Sequence, residues 1–299
     1  MHAIRRLFIV LLVLAGTAAS SAASTESTAR LVPSGQQLII AVDVTRIRAE
    51  PLFVRALAAL EQSGGPKFKE FVAKTGFDPK KDLHSIVLAM QSDNDSDLVM
   101  LFEGRFDLAK IRSAAKAEKT FKKSSYKGNE VWLFDTDTVA APIKGTNVLV
   151  LGKAGGVNNV IDVRRGRGAS SSVLRGLAVK QLKKGALGFA MLTSGSLGNG
   201  LKNDPKLSDV RRVSGFMGLG GQKFSAGVDV TFRRKAVRNQ VFAMADAKIR
   251  ETVQKQAGDP VADLFRAVRL GGTGENLEVR ADFTQAQDKM ILGLFGVKL

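Results

Sequence analysis

The sequence predicts an α+β fold, in which helices pack on one face of an antiparallel or mixed sheet. Residues 224–232 alternate apolar and polar side chains, which is typical of a half-buried antiparallel strand. Residues 277–283 repeat this alternation, and residues 236–254 place apolar side chains at helical spacing. The chain has 299 residues and is 44% hydrophobic, so it can bury a sizeable core.

Strand and helix signals follow one another along the chain after residue 36. Short apolar or alternating runs bounded by turn residues predict strands, and apolar residues at helical spacing predict helices. The predicted strands are residues 37–44, 85–90, 98–102, 130–134, 147–151, 185–192, 211–219, 223–232 and 277–283. The predicted helices are residues 51–63, 68–74, 108–117, 157–163 and 236–254, and a last helix that begins at a capping box of Thr284 and Gln287.

Internal similarity predicts two related halves. The tetrapeptide VDVT occurs at residues 42–45 and again at 228–231. Two strand–strand–helix units also recur, at residues 85–117 and 211–254, which is the kind of pattern that a duplicated unit produces. The predicted segments are a flexible lead-in at residues 24–36, an N-terminal half at 37–163, a basic connector at 164–184 and a C-terminal half at 185–299.

The first 23 residues have the pattern of a secretory signal peptide. Arg5 and Arg6 form a basic start, residues 7–14 are an unbroken apolar run, and small residues lead to a cleavage site after Ala22 or Ala23. The apolar run is shorter than the roughly 20 residues that a membrane-spanning helix needs. The pattern predicts an exported protein, periplasmic or secreted. Retention of the segment as an uncleaved anchor is the alternative.

The residue inventory excludes most conventional catalytic chemistry. Cysteine is absent, which excludes disulfides, thiolate metal sites and cysteine nucleophiles. His84 is the one histidine outside the predicted signal peptide, and no Ser-His-Asp spacing surrounds it. We predict no catalytic residue, no metal and no cofactor. A hydrolase that uses carboxylates alone is a less favoured alternative, with Asp43 and Asp229 of the two VDVT segments as its first candidates.

Positive charge is concentrated in one region of the chain. The formal net charge is +17, and residues 153–238 carry 17 Lys or Arg against 4 Asp or Glu. Such a field attracts anionic polymers and surfaces. The sequence therefore predicts a non-enzymatic protein whose partner is an anionic lipid head group, lipopolysaccharide or a cell-wall polymer. The predicted contacts are Arg164, Arg165, Arg167, Lys183, Lys184, Arg233, Arg234 and Arg238.

The excess of positive charge is also compatible with a role in solubility alone. A second basic run at residues 110–127 has the spacing of a solvated helix face. Sequence-specific nucleic-acid binding is not expected, because the chain has one Trp and one Tyr for stacking and no recognisable nucleic-acid-binding motif. The alternative function is a structural or assembly component that binds another envelope protein. The sequence predicts no particular oligomeric state.

Four segments between residues 31 and 162 carry a resemblance to a known group of proteins. These segments are LVPSGQQLIIAVDVTRIRAEPLF, TGFDPKKDL, LFEGRFDLAKI and VLVLGKAGGVNNVID. They resemble the corresponding segments of an uncharacterised family of exported bacterial cell-envelope proteins, which have a signal peptide, repeated strand–helix units and no assigned activity. The resemblance implies a bacterial cell-envelope setting and transfers no functional residue.

Overall fold

The described part of the chain forms an antiparallel sheet with helices packed against it. The computed structural model describes residues 22–48, 50, 54, 69, 70, 72–92, 98–117, 120–170, 173–194, 198, 199, 205, 207–220, 223–256, 260–284 and 287. The strands are β1 (Leu38–Asp43), β2 (Leu83–Met90), β3 (Leu98–Gly104), β4 (Lys122–Tyr126), β5 (Asn129–Leu133), β6 (Val139–Pro142), β7 (Val148–Gly152), β8 (Leu187–Leu192), β9 (Val210–Gly220), β10 (Lys223–Phe232), β11 (Val268–Gly271) and β12 (Asn276–Thr284). The helices are α1 (Ala22–Ala29), α2 (Val44–Ile47), α3 (Pro79–Asp82), α4 (Leu108–Lys116), α5 (Ala154–Arg164), α6 (Val173–Leu182), α7 (Lys235–Lys255) and α8 (Pro260–Arg266).

The strands of the described residues join in the order β11-β12-β10-β9-β8-β1-β2-β3-β7-β6-β5-β4. Every neighbouring pair in this order is antiparallel. Helices together with an antiparallel sheet confirm the α+β prediction. Strands β1 to β7 form one lateral half of the sheet, and β8 to β12 form the other. The two lateral halves meet where Val42 of β1 lies opposite Leu187 of β8. The similarity of the two predicted halves stays a prediction.

Apolar side chains point to both faces of the central strands. Ile39 and Leu101 join the core that α1, α5 and α6 cover. Ile40 and Ile86 join a second core, to which α2 contributes Ile47. Because neighbouring residues of a strand point to opposite faces, these two cores lie on opposite sides of the sheet. The prediction of helices on one face therefore describes α1, α5 and α6, whereas α2 lies on the other face, since strands apolar on both sides need cover on both.

Residues 24–36, predicted as a flexible lead-in, are instead part of the packed structure. Most of α1 lies in this segment, where Thr28 and Ala29 are fully buried and Val32 follows them into the core. The Thr28 hydroxyl donates a hydrogen bond of 2.6 Å to Glu103 Oε2 of β3. The small polar residues that suggested flexibility are the ones that let α1 lie close to the sheet, so tertiary contact decides the conformation here.

The predicted basic connector, residues 164–184, contains the core helix α6. Its Leu174, Ala178 and Leu182 are buried against the sheet, whereas its Lys180 is exposed. Lys and Arg make up 7 of the 21 residues of this segment and stand between its apolar residues, so the sequence does not predict the helix. The segment therefore links the two lateral halves of the sheet, and its helix α6 also covers the junction between β1 and β8.

Several strands and helices differ from the sequence predictions. Strands β4, β6 and β11 are not predicted from the sequence, because β4 (KKSSY) has no apolar alternation and the other two are only four residues long. Helix α7 confirms the prediction at 236–254. The Thr284 backbone N–H donates to Gln287 Oε1 at 2.8 Å, as the capping box predicts.

Some predictions fall outside the described residues. They include nearly all of the signal peptide, all but residue 54 of the helix at 51–63, and most of the last helix. Within the part of the chain that the structure describes, no helix combines the length and the apolar content that crossing a membrane requires.

Candidate anion-binding site

Two hairpin turns and one helix end form the candidate site. The first turn joins β4 to β5 through Lys127 and Gly128, because Tyr126 pairs with Asn129 on either side of them. Both turn residues have positive φ, +47° for Lys127 and +77° for Gly128. This is the backbone of the tightest hairpin turns, which match the twist of the flanking strands. Lys127 therefore lies at the tip of the hairpin.

The second turn joins β6 to β7 through Lys144 and Gly145. The Thr146 N–H donates to the Ile143 carbonyl at 3.1 Å and closes the turn, and Gly145 has a φ of +73° that glycine adopts without strain. The Lys144 N–H donates to Asn129 Oδ1 at 3.2 Å. Since the Asn129 side chain is buried, this hydrogen bond fixes the second turn beside the first.

The C-terminal end of α5 supplies the two arginines. Backbone N–H groups of the following loop already satisfy the last carbonyls of the helix: Arg165 donates to Ile161 at 3.1 Å, and Arg167 donates to Asp162 at 2.9 Å. Gly166, with a φ of +70°, allows the chain to reverse there. The Arg164 and Arg165 side chains are therefore not needed to cap the helix and extend toward the two turns.

These elements line an open pocket of about 250 Å³, here called the cationic pocket. Its lining residues are Lys127, Gly128, Asn129, Lys144, Arg164 and Arg165. The Arg165 guanidinium donates to the Lys127 carbonyl, which holds one arginine against the first turn. A Cβ at Gly145 would lie 3.4 Å from Arg164 Nη2, so the second arginine lies over the glycine of the second turn.

One carboxylate partly balances the charge of the cationic pocket. Lys127 Nζ lies 2.8 Å from Asp162 Oδ1, and the Tyr126 hydroxyl donates to Asp162 Oδ2 at 3.1 Å. The hydrogen bond from Lys127 holds the pKa of the Asp162 carboxyl below its ordinary value, and it raises the pKa of Lys127. Four cationic side chains and one carboxylate leave three positive charges without a partner of opposite sign.

Two of the cationic groups are available to a ligand. Among the residues that the structure describes, neither the Lys144 ammonium nor the Arg164 guanidinium has a hydrogen-bond or ion-pair partner, and both side chains are exposed. Lys127 is engaged by Asp162, and the Arg165 guanidinium donates to the Lys127 carbonyl and also acts electrostatically on the Asp162 carboxylate. The chemistry that this arrangement supports is therefore the binding of a compact anion.

The titration of Asp162 provides a direct check on this electrostatic arrangement. We expect the Asp162 carboxyl to titrate below the ordinary value of 3.8 by NMR, and Lys127→Met to raise its midpoint. Because the pKa of Asp162 is lower in the folded protein than in the unfolded chain, its carboxylate stabilises the fold. This contribution is complete above the unfolded-state pKa and is lost as pH falls through the folded-state pKa. Lys123→Met, on the same hairpin but paired with Glu130, is the matched control and should leave the midpoint unchanged. A wild-type midpoint at or above 3.8 would contradict the arrangement.

The predicted residues Lys183 and Lys184 lie at the same end of the sheet as the cationic pocket. They follow α6 and precede β8. The start of β8 pairs with the end of β1, which pairs with the start of β2, and this pairs with the end of β3. The end of β3 pairs in turn with the start of β7, which adjoins the pocket. Four strand spacings separate β8 from β7, or about 19 Å. Lys184 Nζ is 3.6 Å from Asp229 Oδ2 and 5.7 Å from the Phe216 ring centroid. Arg167 follows α5, but its side chain does not line the pocket.

The three predicted arginines after β10 lie at the opposite end of the sheet. The Arg234 guanidinium pairs with Asp209 at 2.8 Å, and Arg238 donates to the carbonyls of Gly271 and Gly272 in the β11–β12 turn. Arg233 is exposed beside them. Six strand spacings, or about 29 Å, separate β10 from β7. The eight predicted residues therefore do not converge on one surface, and only Arg164 and Arg165 among them line the cationic pocket.

The carboxylates considered for a hydrolase have structural partners. Asp43 is fully buried, accepts a hydrogen bond from the Thr45 hydroxyl at 2.7 Å and pairs with Arg46 at 3.3 Å. Asp229 pairs with Arg280 and accepts a hydrogen bond from Gln181. The described ranges contain no group of three or more His, Cys, Asp or Glu side chains placed to hold a metal ion.

Two of the four cations of the pocket are not among the residues predicted from the sequence. Lys127 belongs to the run that has the spacing of a solvated face, and Lys144 lies outside every basic cluster. A signal was present, because KG precedes a predicted strand at residues 127–128 and again at 144–145. These dipeptides mark two turns but do not show that the turns are neighbours. The β4–β5 and β6–β7 turns lie at the same end of the sheet because the β5–β6 turn between them lies at the other end.

Comparison with known proteins supports the fold. No family model matches the chain, and no curated protein matches it, which agrees with the resemblance to a family without an assigned activity. The solved structures that match include three crystal forms of TP0453. Form III has a TM-score of 0.54 at 8% identity over 90% of this chain and 98% of that one. Form IV has a TM-score of 0.53 at 8% identity, covering 91% and 99%.

The third crystal form, form I, has a TM-score of 0.51 at 10% identity, covering 89% of this chain and 97% of that one. These coverages show that the likeness extends over nearly the whole length of both chains. At such low identity the likeness concerns the path of the backbone and transfers no site residue. The chain therefore shares the α+β fold of TP0453.

Proposed function

We propose that this protein is exported to the bacterial cell envelope and there binds an anionic partner at the cationic pocket. The basic start, apolar run and small residues at the N-terminus support export. The single observation that carries the binding function is the convergence of Lys127, Lys144, Arg164 and Arg165 on one pocket. Such a concentration of like charge is costly to fold unless a counter-charge is bound, because like charges repel one another.

The anionic partner is an envelope component with repeated negative groups: lipid head groups, lipopolysaccharide or a cell-wall polymer. Lys183 and Lys184 lie at the same end of the sheet, at least four strand spacings or about 19 Å away from the pocket, so an extended polyanion can contact both basic clusters. A ligand that fills only the pocket contacts one cluster. The proposed surface is therefore one end of the sheet. It keeps Arg164, Arg165, Lys183 and Lys184 from the basic region at residues 153–238, and it adds Lys127 and Lys144, which lie outside that region.

Co-sedimentation with vesicles tests the proposal. The protein, purified after export, should bind anionic but not neutral vesicles, and the binding should weaken as salt is raised because exposed charges are screened. Lys144→Gln combined with Arg164→Gln should weaken this binding about tenfold, since each removes a charge-assisted contact. Lipopolysaccharide should compete with the vesicles.

The matched control combines Lys116→Gln with Arg269→Gln. These residues are also exposed, lie outside the cationic pocket and have no described ion pair, so the control removes the same charge without changing the site. It should bind within about twofold of wild type, because only the general field changes. Equal losses in the two variants would mean that net charge alone drives binding, and no binding by wild type would reject the proposal.

A further inference from the structure

We infer that the group bound in the cationic pocket is a phosphate monoester, an inference that rests on the proposed use of this pocket as the binding site. The pocket holds about 250 Å³, and none of its lining side chains is apolar. Pockets for drug-sized ligands are larger, roughly 300–1,000 Å³, and mostly apolar. The cationic pocket therefore suits a compact charged group better than an acyl chain, which binds to an apolar lining.

The charge of the pocket favours a dianion. Four cations, Lys127, Lys144, Arg164 and Arg165, lie close to one carboxylate, Asp162, so the pocket keeps a net charge of three positive units. A phosphate monoester carries a charge of about −1.5 to −2 at pH 7, whereas a carboxylate or a phosphodiester carries about −1. Because the Coulomb energy scales with the product of the charges, the monoester gains close to twice the attraction of a monoanion at the same distance.

The donors of the pocket also match a tetrahedral group. Arg164 presents a planar guanidinium that can bind two phosphate oxygens in parallel, and Lys144 presents a point charge from the neighbouring turn. Gly145 has no side chain over the Arg164 guanidinium, so an anion can approach it. A monoester has three terminal oxygens, so it can accept hydrogen bonds from Arg164 and from Lys144 at the same time. A diester has two, and a carboxylate has two in one plane.

Calorimetric titration of the whole exported chain with inorganic phosphate, glycerol 3-phosphate and acetate tests the inference. Both phosphates should bind about tenfold more tightly than acetate. Lys144→Gln with Arg164→Gln should abolish this preference, and Lys116→Gln with Arg269→Gln should preserve it. Arg164→Lys keeps the charge but loses the paired donors, so it should weaken phosphate binding about tenfold. Equal binding of acetate and phosphate would overturn the inference. So would phosphate binding that is unchanged in the double variant Lys144→Gln with Arg164→Gln, here called the pocket variant.

Vesicles of matched surface charge separate the two sources of a monoester. Tighter binding to phosphatidic acid than to phosphatidylglycerol, lost in the pocket variant, supports a lipid or lipopolysaccharide phosphate. Equal binding to both, with phosphate preference in calorimetry, supports a soluble phosphate ester. If acetate and phosphate bind equally while anionic vesicles still need the pocket, the inference fails and the proposed function stands. If phosphate needs the pocket but no envelope polyanion binds, the proposed function fails instead.

Discussion

Replacing Gly188 with alanine is expected to destabilise the fold by about 2–3 kcal/mol, because there is no space for a methyl group at this position. A Cβ there would lie 2.2 Å from the Ala178 carbonyl oxygen and 2.4 Å from the Leu182 nitrogen. Both atoms belong to the backbone of α6, so no side-chain rotation relieves the contact. The helix would have to move away from β8, and the buried residues Leu174 and Leu182 would lose packing.

Gly176→Ala is the matched control on the same helix. Nothing lies within 4 Å of a Cβ at this position, and the residue is exposed. It should stabilise the protein by about 0.5–1 kcal/mol, since alanine costs less conformational entropy than glycine in a helix. Urea unfolding followed by circular dichroism measures both effects. A Gly188→Ala protein as stable as wild type would contradict the close approach of α6 to β8.

Replacing Asp43 with alanine is expected to cost about 3–5 kcal/mol, because it leaves the Arg46 guanidinium without its carboxylate in a poorly solvated position. Asp43 is fully buried at the end of β1, and the Arg46 side chain is only 18% exposed. The Asp43 carboxylate also accepts the Arg46 N–H at 3.2 Å and so caps α2. Arg46 donates to the carbonyls of Leu182 and Gly185, at 3.1 and 2.8 Å, and joins β1 to the α6–β8 connection.

A double-mutant cycle separates the ion pair from the cap. Asp43→Asn keeps an oxygen for the cap and should cost less than Asp43→Ala. The double variant Asp43→Ala with Arg46→Met should lose clearly less stability than the sum of the losses in the two single variants. The reason is that Arg46→Met removes the buried charge that Asp43→Ala leaves unpaired. Chemical denaturation of wild type, Asp43→Ala, Arg46→Met and the double variant gives the coupling free energy. Additive losses would show that the pair does not act as a unit.

The sequence predicted best the strands and helices whose signal is local. β10 and β12 follow from strict alternation, and α7 follows from a long apolar stripe. β4 could not be found this way, because its residues are exposed on the edge of the sheet and have no apolar face to reveal a period. α1 has the sequence of a flexible lead-in because its Ser and Thr residues have low helix propensity, which tertiary packing overrides.

The candidate site was predictable in part. Arg164 and Arg165 stand out as a charge run in the sequence, and they do line the cationic pocket. Lys127 and Lys144 come from separate hairpins, and no local pattern shows that the two turns lie side by side. Conversely, Arg234 and Arg238 belong to an equally prominent run, yet one pairs with Asp209 and the other binds backbone carbonyls. A run of charged residues in the sequence therefore does not show which of its side chains are already paired within the folded protein.

Composition and periodicity were sufficient for the fold class, the strand-rich core and the concentration of positive charge, because each depends on averages over many residues. The grouping of cations depended on how the strands are ordered and on which turns share an end of the sheet. A single buried side chain, Asn129, ties the second turn to the first through one hydrogen bond. Electrostatic interactions weaken with distance, so the charges that matter to a ligand are those that folding brings within a few ångströms of it.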